Sequence, residues 1–121
     1  VSVPVGGKAH ADVGAAASLR ELAAAEAALA ALERQLHADL HEALHSLETA
    51  EAALVLAQRR AELAARHREM GQIAFEQGEI ALVDLMRRDE TARVAARAAR
   101  ALEVQRGRAI AQVNQAVGVL P

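Results

Sequence analysis

Two sets of residues, each recurring every seven positions and standing four apart, run through the first half of this 121-residue chain. Leu22, Leu29, Leu36, Ala43, Ala50, Ala57 and Ala64 form one set; Leu40, Leu47, Leu54 and Ala61 form the other. That spacing gathers both sets on one face of a helix, which is the seam of a coiled coil. From Val13 to Glu76 there is no proline, and the only glycines are Gly14 and Gly71, one near each end. The periodicity predicts one helix over residues 13–76. At 1.5 Å per residue it would be roughly 95 Å long, more than a small domain spans, so partner helices must support it along its run.

The pattern breaks at Phe75-Glu76-Gln77-Gly78-Glu79-Ile80, which predicts a tip over residues 77–81. Gly78 stands where the residue after a helix adopts positive φ. A second helix is expected over residues 82–117, with Leu85, Val94, Ala98, Ala101, Leu102, Ala109 and Val113 among its apolar positions and Gly118 and Pro121 to stop it. So short a connection makes the helices antiparallel neighbours. Their lengths do not match. Folding back from Gly78, the second helix ends opposite residue 39, and residues 13–38, with Leu19, Leu22, Leu29, Leu32 and Leu36, find no partner within the hairpin.

The expected fold class is therefore all-α: residues 11–121 form a long antiparallel helical hairpin of unequal helices. Residues 1–10 read as a separate, short extended segment. Val1, Val3 and Val5 alternate with small or rigid residues, Pro4 excludes a central strand, and Gly6-Gly7 ends the pattern. Asp12 is the first candidate N-cap for the long helix; Ser18, with Glu21 three residues on, is the alternative as a capping box. Val1 is not an initiator methionine, and the chain is expected to be a piece of a longer protein.

Composition explains how such helices pack. Hydrophobic residues make up 53% of the chain, yet 32 residues are alanine and 15 leucine, with Phe75 the lone aromatic. Small side chains let helices approach closely, where a compact globule would be filled by larger ones. The absence of cysteine excludes disulfide scaffolds, thiolate metal sites and thiol catalysis. A net charge of −2 gives no global field for nucleic acid or an anionic membrane, and no uncharged apolar run reaches the length of a membrane-spanning helix. Residues 1–78 carry 7 basic and 11 acidic side chains, and residues 79–121 carry 7 and 5, so the two helices attract. Antiparallel pairing sets Arg106 and Arg108 near Glu48 and Glu51, and Arg93 or Arg97 near Glu62.

Few residues suggest chemistry. Ser2, Ser18 and Ser46 have no histidine and aspartate arranged as a triad, and Ser46 lies about 100° around the helix from His45. No carboxylate pair stands out as acid and base, so no enzyme activity and no cofactor are expected. His37, His41 and His45 follow at i, i+4 and i+8. Neighbours at i, i+4 have the spacing to share a zinc, copper or nickel ion, but the outer two lie about 12 Å apart, too far to join one ion. The same pattern also describes a solvated stripe. No bound metal is therefore expected, and these three are the candidates if one binds. Arg93, Arg97 and Arg100 form a basic stripe without stacking aromatics, which acidic residues of the first helix are expected to neutralise; no nucleic-acid partner is expected.

The segment Phe75-Glu76-Gln77-Gly78-Glu79-Ile80-Ala81-Leu82-Val83-Asp84-Leu85 resembles the periplasmic tip motif of TolC-like outer-membrane efflux proteins. There an aromatic, two residues and a glycine lead through a short polar and apolar stretch to Asp-Leu or Asp-Val. Asn114-Gln115-Ala116-Val117-Gly118-Val119-Leu120-Pro121 resembles the close of that family's returning helix, and the opening Val-Ser-Val-Pro-Val-Gly-Gly the end of a barrel strand. The three matches come in the family's order. After Asp84 the chain departs from the usual Asp-Leu-Leu-x-Ala-Gln, carrying Met86-Arg87-Arg88-Asp89.

The resemblance implies a tunnel-wall segment in the periplasm of a Gram-negative bacterium, part of an outer-membrane homotrimer that serves as the passive duct of a tripartite pump. It places Phe75, Gly78, Asp84, Arg87 and Arg88 at the pore tip, and Gln77, Gly78 and Glu79 against a periplasmic adaptor protein. The inner-membrane pump is then an indirect partner, and the membrane is met only through a barrel outside this chain. Arg87 and Arg88 are alternatively placed to pair with Asp84 and Asp89 rather than face a pore. The uncovered leucines of residues 13–38 imply self-association of this piece on its own. The alternative is the structural coiled-coil hairpin of a periplasmic adaptor, which flanking lipoyl-like segments would mark.

Overall fold

The computed structural model describes residues 6–118. Among them there are two helices and no strand: α1, Gly6–Glu76, of 71 residues, and α2, Leu82–Ala116, of 35. The chain is an all-α hairpin of unequal helices. It divides into two units, Val1–Asp39 and Leu40–Pro121.

The first unit is the opening stretch of α1. It begins at Gly6, not near Val13, so residues 6–10 of the expected extended segment are helical; residues 1–5 lie outside the described residues. Glycine lowers helix stability by about 1 kcal/mol but does not break a helix as proline does, and Lys8 to Ala11 are compatible with one. With the start displaced, neither Asp12 nor Ser18 is an N-cap. The Ser18 hydroxyl instead donates back to the Gly14 carbonyl at 2.9 Å, the usual recourse of a serine inside a helix. From His10 to Asp39 every residue is exposed except half-buried Ala30, and Leu19, Leu22, Leu29, Leu32 and Leu36 all stand in the open.

The second unit is the hairpin proper. On α1 the two heptad sets meet the partner helix as expected: Ala43 and Ala50 are buried, and Leu40, Leu47, Leu54, Ala57, Ala61 and Ala64 are half-buried. The first set runs one step further than expected, to buried Gly71. On α2 the seam consists of Leu85, Ala92, Ala95, Ala99, Leu102, Ala109, Val113 and Ala116, with the four at 92, 95, 99 and 109 buried. This corrects the expected face at three places: Val94, Ala98 and Ala101 are exposed. In a stretch so rich in alanine, composition does not mark the buried side, and the period of seven counted from Leu85 does.

Among the described residues two ion pairs cross the seam, Arg106 Nε to Glu51 Oε1 and Arg68 Nε to Asp89 Oδ1, each 3.3 Å. The midpoint of both lies between residues 78 and 79, so a single register spans the hairpin. The expected Arg106–Glu51 partnership is present. Arg93 and Arg97, however, pair on their own helix with Asp89 and Glu90, at 2.8 and 3.1 Å, and Glu62 pairs with Arg59. A partner one or two turns away on the same helix costs less side-chain entropy to reach than one across the groove.

Among the described residues six alanines make up the buried apolar core, and no side chain is fully buried. Each buried methyl contributes about 0.8 kcal/mol, where a buried leucine contributes about 1.5–3. The larger apolar side chains of the seam are half-buried, and many others lie outside it. Among the described residues eighteen large apolar side chains are exposed, including Val55, Leu56, Leu63, Met70 and Ile73 on α1 and Leu82, Val83, Met86, Val94 and Val104 on α2. No described helix is long and apolar enough to cross a membrane.

Candidate functional site at the hairpin tip

The tip is built by hydrogen bonds that finish one helix and start the next. The Gly78 N–H donates to the Phe75 carbonyl at 2.9 Å and the Glu79 N–H to the Ala74 carbonyl at 2.8 Å, which together make a Schellman motif with Gly78 at φ +76°. Ala81, with extended backbone, then opens α2 without a side-chain cap, and Asp84 and Leu85 donate to its carbonyl. Asp84 is the acidic residue of the first turn, where a negative charge complements the helix dipole. At the far end of α2, Val117 caps the helix and Gly118, at φ +76°, donates to the Gln115 carbonyl. Helix α2 thus ends at Ala116, one residue earlier than expected. Val119, Leu120 and Pro121 lie outside the described residues.

Of the residues assigned to the tip by resemblance, Gln77, Gly78 and Glu79 are exposed at the turn, and Phe75 is half-buried in the last turn of α1. Half-buried Asp84 faces Arg87 on its own helix, with 3.8 Å between charged atoms. Arg88 does not pair with Asp89. Its half-buried side chain lies across Gly71 of α1, and Asp89 instead receives Arg68 and Arg93 on its two oxygens. Arg68, Gln72, Leu82, Leu85, Met86, Asp89, Glu90 and Arg93 line an open groove of about 420 Å³ beside the tip.

Two residues missed by reading the tip motif alone, Gly71 and Arg68, organise this end together with Asp89. Both had a signal in the heptads, Gly71 seven after Ala64 and Arg68 seven after Ala61. Arg88 and Arg106 interrupt the α2 seam in the same way as Arg68 does that of α1. Each of these arginines meets its accommodation on the opposite helix: a carboxylate for Arg68, a carboxylate for Arg106 and a missing side chain for Arg88.

His37, His41 and His45 are exposed on α1. Among the described residues there is no group of three or more potential ligands placed to hold a metal ion. No family model, no curated protein and no solved structure matches the chain.

Proposed function

We propose that this chain is a wall segment of an outer-membrane efflux duct, lying in the periplasm as part of a trimeric, TolC-like assembly and meeting a periplasmic adaptor at its tip. The observation that carries this reading is the make-up of its core: among the described residues the buried apolar side chains are six alanines, while eighteen large apolar side chains stand exposed. A helical wall has this distribution, because neighbouring helices of the same tube cover both of its flanks. The unequal helices and the Gly78 tip give further support, since the family that the tip motif resembles carries one uninterrupted long helix and one shorter return helix per repeat. In this reading Phe75, Gly78, Asp84, Arg87 and Arg88 border the aperture, and Gln77, Gly78 and Glu79 meet the adaptor. The duct is passive, with no catalytic step assigned to this segment.

Fractionation of cells expressing the natural gene, with sensitivity to toxic small molecules measured after its deletion, tests the proposal. Recovery in the outer membrane together with increased sensitivity is the expected result. Lipoyl-like β segments flanking the hairpin in the natural gene would overturn it in favour of an adaptor hairpin.

A further inference from the structure

We propose that His41 and His45 form a two-imidazole chelate for a divalent first-row transition ion, with copper(II) bound most tightly. Side chains four apart on a helix have β-carbons about 5–6 Å apart, close enough for two imidazole nitrogens to meet one ion at about 2 Å. Neither imidazole is engaged in a hydrogen bond or an ion pair with another described residue; the bond that His45 accepts from the Thr49 hydroxyl goes to its backbone carbonyl. Both histidines are exposed, and they line one open groove with Glu48 and Glu51.

The backbone beneath them is held. Ala43, midway between the two, is buried in the seam against α2. The helical turn that sets the imidazole spacing is therefore fixed before an ion arrives, and chelation forfeits little backbone freedom. The other pair at the same spacing, His37 and His41, has no buried residue between its members: Ala38 and Asp39 are exposed and Leu40 is half-buried. One ion cannot use both pairs fully, because they share His41. Since no third ligand among the described residues completes the group, water fills the remaining positions. That favours copper(II), which heads the affinity order for nitrogen ligands, over zinc(II) in its usual closed tetrahedral sites.

The site does not depend on the duct reading, and either can fail alone. The test is titration of the full chain with copper(II), with nickel(II), zinc(II) and magnesium(II) in parallel, followed by calorimetry and by electron paramagnetic resonance of the copper complex. One copper per chain with two coordinated imidazole nitrogens is expected, with weaker binding of nickel and zinc and none of magnesium. His41→Ala and His45→Ala each lower copper affinity about tenfold or more, while His37→Ala changes it by no more than about threefold. These positions are exposed on a helix and alanine is the best helix former, so circular dichroism should show the fold retained. Copper binding that persists unchanged in the H41A/H45A double variant overturns the proposal. So does a loss in H37A equal to that in H45A, which would assign the ion to the other pair, and so does failure of the unmodified chain to bind copper.

Discussion

The side chain of Arg88 crosses the backbone of Gly71 so closely that a β-carbon added at Gly71 would stand 2.6 Å from Arg88 Cδ and 3.1 Å from its Nη1. Glycine at this position is thus set by the opposing helix, since its own helix would prefer almost any other residue. Gly71→Ala gains about 1 kcal/mol of helix propensity, but it must displace the middle of the arginine side chain, an intrusion of the kind that costs about 1–3 kcal/mol. A double-mutant cycle followed by urea denaturation separates the two effects. G71A is expected to destabilise the chain when Arg88 is present and to stabilise it in an R88A background. Equal effects in the two backgrounds would show that the contact has no energetic consequence.

The corrected α2 seam leads to a second expectation. Ala109 is 4% exposed and Ala98 lies on the outer face, although both are alanines in similar sequence surroundings. Leucine at 109 must push the helices apart, at a cost of about 1–3 kcal/mol, whereas leucine at 98 should stay within about 0.5 kcal/mol of the parent. Thermal unfolding of A109L and A98L reads this directly. Similar melting temperatures for the two would mean that α2 presents a different face.

Gly78 tests the turn. Its φ of +76° is a conformation that L side chains rarely adopt, yet a β-carbon there meets nothing within 4 Å. The penalty for Gly78→Ala is therefore conformational, about 1–2 kcal/mol, with no clash added. Gly78→Asn should recover part of that loss, because asparagine tolerates the left-handed region. An asparagine variant as unstable as the alanine variant would point to a crowded turn instead.

The hairpin and its α1 seam were legible because heptad spacing survives even when its occupants shrink to alanine: Ala43, Ala50, Ala57 and Ala64 keep step with the leucines before them. The α2 face was misread where that logic gave way to residue type. Val94 looks like a core residue, but it stands off the seven-residue grid of Leu85, Ala92 and Ala99 and is exposed. The start of α1 was obscured by Gly6-Gly7, which weaken a helix without forbidding it. At the tip, the positive φ of Gly78 could be read from its place after a helical run, but Arg88 over Gly71 could not. That contact needs the register between helices, which a turn motif does not specify and which the Arg106–Glu51 and Arg68–Asp89 pairs reveal.

The exposed leucines of the first unit carry the last expectation. Leu22, Leu29 and Leu36 hold one heptad position in succession, flanked by Leu19 and Leu32, and all five are exposed in the single chain. In water such a face is covered at low energetic cost by a second copy, since two leucine-bearing helices bury each other's side chains without any new polar contact. Sedimentation equilibrium should show mass rising with protein concentration. Leu29→Glu, in the middle of the row, should move the chain toward monomer, because pairing would then bury an uncompensated carboxylate. The outer face of the hairpin offers a control: Leu56 is 71% exposed but is not part of this row, so Leu56→Glu should leave the association largely intact. A chain that stays monomeric at high concentration, or one that dissociates equally with either substitution, would remove the leucine row as the cause of association.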